Sequence, residues 1–139
     1  MRNAVIVGQE EYIMTCPRVV DHLVFRVSGL DRTERFYNAL LDQHPQRAED
    51  SLMYMVGDTR LFFTSSIENQ TGMYEKEKIG LNHIAFGVHS LAELETIREQ
   101  LDKFGLSHSG LKLDRYGLNE FIWLDDPDGM RIEFYLRPE

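Results

Sequence analysis

The sequence predicts an α+β fold made of two copies of one unit, in which a strand is followed by a helix and three further strands. Two observations lead to this prediction. Residues 21–30, DHLVFRVSGL, align with residues 82–91, NHIAFGVHSL, at a constant offset of 61 that keeps His, Phe, Val and Leu in register. After each segment the apolar period changes from two to about 3.6, which indicates a strand followed by an amphipathic helix.

The elements of each copy follow from local patterns. The aligned segments are short, apolar and end at turns, so they are the first strands. Apolar residues at helical spacing then predict helices that include residues 33–41 and 91–104, with Asp31 and Ser90 as N-caps. The remaining strands are predicted at residues 46–49, 52–56 and 60–64 in the first copy, and at 111–113, 120–124 and 131–136 in the second.

The predicted domain organisation is a single domain over residues 19–139, preceded by an N-terminal appendage at residues 1–18. Within the domain the first module covers about residues 19–65 and the second about residues 81–137. The polar residues 66–80 are expected to link them.

Strand alternation gives three side chains a common direction. If the apolar residues of each first strand face the helix, His22 and His83 point to the concave side of the sheet. Glu133 alternates with Ile132 and Phe134 in the last strand and faces the same way. A mid-strand carboxylate is costly when it is buried without a cation or hydrogen-bond donor.

Each of these residues also has a simpler explanation. A single histidine on a strand is more often hydrogen-bonded or at the surface, and Glu133 could pair with an arginine, of which Arg131, Arg60 and Arg26 are the candidates. The repetition favours the alternative. Two imidazoles and one carboxylate facing a cleft are the donor set of an open divalent-metal site.

Composition and charge exclude several classes of partner. The 139 residues contain 15 Lys and Arg against 23 Asp and Glu, a net charge of −8, which argues against nucleic acid and anionic membranes. No apolar run is long enough for a signal peptide or a membrane span. Cys16 is the single cysteine, so no internal disulfide can form, and a cytoplasmic location is expected.

Three motifs resemble the vicinal oxygen chelate superfamily, which includes glyoxalases, bleomycin-resistance proteins and extradiol dioxygenases. The motifs are residues 21–23, DHL, residues 81–86, LNHIAF, and residues 126–133, DPDGMRIE. The resemblance implies that the two βαβββ modules form an eight-stranded cup around a divalent metal held by His22, His83 and Glu133. It also implies a homodimer. The donor set suits Fe, Mn, Ni, Co or Zn.

The sequence departs from the motifs of three subfamilies, and each departure argues against the activity of that subfamily. Phe62 aligns with Glu133, where glyoxalase I has a fourth, carboxylate ligand, which argues against glutathione-dependent activity. Extradiol dioxygenases carry a catalytic His before the Asp-Pro turn and a Tyr nearer to it. This chain has Tyr116 and Trp123 near those places, which argues against ring cleavage. Residues 114–119 lack the Ser/Gly-rich loop of fosfomycin-resistance enzymes.

The sequence therefore predicts a metal-dependent enzyme that acts on a small oxygen-rich molecule, with the metal as Lewis acid or dioxygen-activating centre. The alternatives are a fosfomycin-resistance-type thiol transferase and a non-catalytic binding protein of the bleomycin-resistance type. The candidate catalytic residues are Tyr135 and Tyr116. The candidate substrate-binding residues are Arg26, His108 and Trp123.

Overall fold

The computed structural model describes residues 2–8, 10–65 and 72–138. Two strands, β1 (Arg2–Val7) and β2 (Glu10–Thr15), pair as an antiparallel hairpin within the predicted appendage. The first module contains β3 (His22–Val27), α1 (Leu30–Leu41), β4 (Gln46–Arg47), β5 (Ser51–Val56) and β6 (Thr59–Ser65). The second contains β7 (His83–Val88), α2 (Leu91–Lys103), β8 (Lys112–Leu113), β9 (Glu120–Asp125) and β10 (Arg131–Leu136). The predicted linker falls partly on residues 66–71, outside the described residues.

The eight strands of the modules divide into two four-stranded mixed sheets of identical topology. Their orders are β3-β6-β5-β4 and β7-β10-β9-β8, and in each the first strand runs parallel to the last. The registers also match, since Val24 lies opposite Phe62 and Ala85 lies opposite Glu133. The α+β class and the two βαβββ modules are thus confirmed. In the described residues no ladder joins the sheets, and β3 and β7 are outer strands.

The two helices begin differently. Ser90 caps α2 as predicted, because its hydroxyl accepts a hydrogen bond of 3.1 Å from the Glu93 amide. The prediction of Asp31 as a cap is wrong. α1 begins at Leu30, which packs against the core, so Gly29 takes the N-cap position without a side-chain hydrogen bond. Asp31 lies in the first turn, where its carboxylate is 2.9 Å from Arg47.

One apolar core joins the two modules. It contains the buried residues of both helices and of the helix-facing sides of both sheets. At its edge the hydroxyl of Tyr37 on α1 donates a 2.7 Å hydrogen bond to Asp126, in the turn that precedes β10. The modules therefore meet through their helices and this turn, which leaves the concave faces of the sheets outside the core.

Neither helix in the described part of the chain is long and apolar enough to cross a membrane.

Candidate metal centre and its cavity

Two of the three predicted metal ligands lie together on the concave face of the second sheet. Because β7 and β10 are parallel neighbours, His83 and Glu133 project side by side, and His83 Nε2 is 3.3 Å from Glu133 Oε2. The Glu133 side chain is only 13% exposed. A carboxylate with so little exposure is stabilised by a positive partner or a hydrogen-bond donor.

The arginines that could neutralise Glu133 have other partners among the described residues. Arg131 donates to Asp125 at 2.7 Å and stacks over the ring of Trp123, with its guanidinium carbon 3.8 Å from the ring centroid. Arg26 donates to the Ser65 carbonyl. Arg60 lies 4.0 Å from Asp21. Among the described residues Glu133 therefore pairs with His83 and with none of the three candidate arginines.

The orientation of His83 suits a metal ligand. Its Nδ1 donates a 2.8 Å hydrogen bond to the Asn82 side-chain carbonyl, and the Asn82 amide nitrogen donates to the Lys76 carbonyl, which fixes the amide orientation. Neutral His83 then carries its lone pair on Nε2, facing the Glu133 carboxylate. Two acceptors this close need a proton or a cation between them.

The spacing of these two atoms also fits a shared ion. Ligands about 2.0–2.2 Å from one ion, at an angle between 90° and tetrahedral, lie about 2.9–3.5 Å apart. The separation of 3.3 Å falls within that range. His83 and Glu133 thus fit two adjacent positions of a divalent transition metal.

The third predicted ligand, His22, lies apart on the first sheet. Its Nδ1 donates a 2.8 Å hydrogen bond to Asp21, so its Nε2 is also left as an acceptor. This hydrogen bond, together with the charge of Arg60, lowers the pKa of Asp21. In the described residues no group of three His, Cys, Asp or Glu side chains comes together to hold an ion. A single chain therefore holds the predicted ligands in two separate groups, here called half-sites: His22 in one, and His83 with Glu133 in the other.

A cavity of about 790 Å³ opens beside His83 and Glu133. It lies over the concave face of the second sheet and beneath the loop at residues 114–119. Its wall includes both predicted catalytic residues, Tyr135 and Tyr116. A volume of this size accommodates a small organic molecule.

The loop over the cavity is held by Asp114. The backbone amides of Leu118 and Tyr116 donate to its carboxylate at 3.0 and 3.1 Å, and they lower its pKa. The Tyr135 hydroxyl also lies 3.4 Å from this carboxylate. Burial, followed by the charges of Asp114 and Glu133, raises the pKa of Tyr135, so its phenol keeps its proton at neutral pH.

Comparison with known proteins decides the family. The family model of the Glyoxalase/Bleomycin resistance protein/Dioxygenase superfamily matches residues 19–134. The chain belongs to this superfamily. No curated protein matches the sequence.

Several solved structures share the fold of this chain. A glyoxylase/bleomycin resistance protein/dioxygenase domain from Frankia sp. EAN1pec superposes with a TM-score of 0.72 at 21% identity, covering 87% of this chain and 98% of that one. Lactoylglutathione lyase from Agrobacterium tumefaciens gives a TM-score of 0.66 at 15% identity and covers 87% and 95% of the two chains. The oxidase ChaP-H1 gives 0.66 at 20% identity and covers 88% and 98%. At these identities the likeness concerns the fold.

None of the three predicted substrate-binding residues lines the cavity beside His83 and Glu133. Arg26 lines a smaller pocket of about 170 Å³ beside Asp128. His108 is 2.6 Å from Asp102 at the end of α2 and accepts a hydrogen bond from the Gly110 amide. Trp123 flanks Glu133 on β9 but is covered by Arg131. The structure therefore gives these residues other contacts.

Several cavity residues were not predicted as site residues from the sequence, among them Gly87, Arg115, Phe121 and Arg137. Phe121 and Gly87 share the concave face by strand alternation, so the pattern that placed Glu133 could also have placed them. Arg115 lies in the loop and Arg137 follows the last strand, where alternation gives no direction.

Proposed function

We propose that this protein is a metal-dependent enzyme whose active site is shared between two copies of the chain. His83 and Glu133 of one copy and His22 of the other hold one divalent transition metal. The observation that carries the proposal is the pair of separate half-sites, since each histidine has its Nδ1 bound by the preceding residue and its Nε2 available.

The outer strands support this assembly. β3 and β7 each carry a half-site histidine as the first residue and have an edge without a neighbour in the described residues. Such edges are pairing surfaces. The face that bears His22 also exposes Val24 and Met55. Pairing of β3 with the partner's β7 by a twofold axis would produce two equal sites and two eight-stranded sheets.

In the proposed reaction the metal and the residues of the chain have different roles. A divalent ion held by three protein ligands keeps open positions, through which it polarises substrate oxygens or, if redox-active, activates dioxygen. Asn82 and Asp21 fix the histidine tautomers, and Glu133 supplies the negative charge of the site. The Tyr135 hydroxyl, which is 3.4 Å from Asp114, lines the same cavity and would turn from Asp114 to donate to a substrate oxygen.

A complementation experiment tests the shared site. The variants His22→Ala and His83→Ala are each expected to lose metal, measured by inductively coupled plasma mass spectrometry on tag-free protein. When the two variants are refolded together, a mixed dimer contains one intact and one doubly damaged site. The mixture should therefore recover about a quarter of the wild-type metal content, because about half of its dimers are mixed. His44→Ala, which changes an exposed histidine away from either half-site, is the matched control.

Each result of this experiment has a clear meaning. No recovery on mixing would refute the shared site. Full metal content in both His83→Ala and Glu133→Gln would refute these ligands altogether. Wild-type protein that binds no Fe(II), Mn(II) or Zn(II) would instead support the alternative of a non-catalytic binding protein.

We also propose that the protein acts on a small molecule and is located in the cytoplasm. An acidic protein with one cysteine, exposed in the structure, suits a reducing compartment. Light scattering on the purified protein measures the dimer directly.

A further inference from the structure

The two modules differ at equivalent positions beside the cavity. On the concave side of β3, His22 is followed by Val24 and Arg26, whereas on β7 His83 is followed by Ala85 and Gly87. The smaller side chains leave room beside the half-site. A methyl group added at Gly87 would meet Arg137 at 3.7 Å, so this glycine borders the space next to that arginine.

Two aromatic rings form one wall of the cavity. Phe121 on β9 lies opposite Tyr135 on β10, and their rings stack with centroids 5.0 Å apart and planes 16° from parallel. Because the two rings stack face to face, a planar group that enters the cavity can extend this stack or pack against its edges.

Two arginines in the wall have no carboxylate partner in the described part of the chain. Arg115 donates to the Tyr116 hydroxyl and lies over that ring, and Arg137 is held by its backbone amide, which donates to the Val88 carbonyl at 2.6 Å. The carboxylates of the cavity are engaged elsewhere, since Asp114 accepts backbone amides and Glu133 faces His83.

We propose that this cavity binds planar organic acids, with the ring or conjugated body against Phe121 and Tyr135 and the acidic group on the guanidinium groups of Arg115 and Arg137. Guanidinium groups bind carboxylates through paired, charge-assisted hydrogen bonds. The opposite end of such a ligand would lie toward His83 and Glu133. The proposal thus names a substrate class for the proposed metal centre and rests on that centre only for the orientation of the ligand.

The test uses metal-free protein, so that it does not depend on the metal. Isothermal titration calorimetry in EDTA compares benzoate with benzamide, its neutral analogue, and with cyclohexanecarboxylate, which keeps the charge but is not planar. Benzoate should bind about tenfold more tightly than benzamide, because the amide loses the charge-assisted hydrogen bonds. Cyclohexanecarboxylate should bind several-fold more weakly than benzoate, because it cannot stack.

Variants assign the binding to the cavity. Arg137→Gln and Arg115→Gln should each weaken benzoate about tenfold and leave benzamide unchanged. Lys112→Gln, an exposed cation outside the cavity lining, is the matched control. Equal affinity for benzoate and benzamide, or benzoate binding that neither arginine variant changes, would overturn the proposal.

A further variant separates this proposal from the proposed function. His83→Ala should abolish metal binding but keep the affinity of the metal-free protein for benzoate. Loss of benzoate binding in metal-free His83→Ala would place the anion on the histidine and would refute the role of the arginines.

Discussion

Replacing Tyr37 by Phe tests whether one hydrogen bond stabilises the contact between the two modules. The hydroxyl donates to Asp126 over 2.7 Å, with Tyr37 1% and Asp126 7% exposed. The Phe ring keeps the packing against Phe63, 4.2 Å between centroids, so the variant loses only the donor. A buried hydrogen bond to a charged group contributes about 1.5–3 kcal/mol, and that is the expected loss in the free energy of unfolding.

The loss converts into a melting temperature. Unfolding entropy of about 2.1 cal/mol/K per residue gives about 290 cal/mol/K for this chain, so the midpoint should fall by about 5–10 °C. Calorimetry and urea denaturation at one fixed protein concentration measure both quantities. Tyr116→Phe is the control, since that ring is 67% exposed and its hydroxyl should matter by less than about 0.5 kcal/mol. A Tyr37→Phe variant as stable as this control would refute the stabilising role of the hydrogen bond.

The same variant has a pH signature with a definite sign. Burial raises the pKa of Asp126, and the hydrogen bond from Tyr37 opposes that rise. Without Tyr37 the folded-state pKa of Asp126 should be higher still, so folding of the variant takes up more protons. The stability difference between variant and wild type should therefore shrink as the pH falls from neutral through this raised pKa. A difference that widens on acidification would contradict the mechanism.

Three further predictions concern support of the site and of the fold. Asn82→Ala should weaken metal binding about 10–100-fold without unfolding the protein, because His83 loses the partner that fixes its tautomer; competition with a chelator measures this, and an unchanged affinity would contradict it. Ser90→Ala should cost about 1 kcal/mol in urea denaturation through loss of the α2 cap, whereas Ser90→Thr should cost less. Gly129→Ala should destabilise by more than about 1 kcal/mol, since its φ is 88° and a Cβ would lie 3.1 Å from Met73 Cε; a neutral thermal shift would show that the turn adapts.

The strands, the helices and the proximity of His83 to Glu133 could be predicted from the sequence. The internal repeat fixed the element order, and alternation placed His83 and Glu133 on one face because both properties depend on local periodicity. The N-cap of α1 was predicted at Asp31 but lies at Gly29, because Leu30 packs against the core and begins the helix. This packing is a tertiary effect that the local sequence pattern does not show.

The separation of His22 from His83 and Glu133 could not be predicted from the sequence. A repeat shows that two modules are alike, but it does not show which of their surfaces meet. Here contacts such as that of Gln100 with the Ala39 carbonyl bring the helices together. The cavity arginines escaped prediction for a related reason, since a loop and a strand end have no alternation to orient their side chains.

The shared core also constrains how the chain folds during synthesis. Tyr37 must find a partner 89 residues further along, in a turn close to the C-terminal end. At about 5–20 residues per second the ribosome needs about 4–18 s to make that distance. Throughout this interval the nascent first module has its helix exposed on the side that α2 later covers. Early release or premature termination in the second module would therefore yield a chain prone to aggregation rather than a small independent domain.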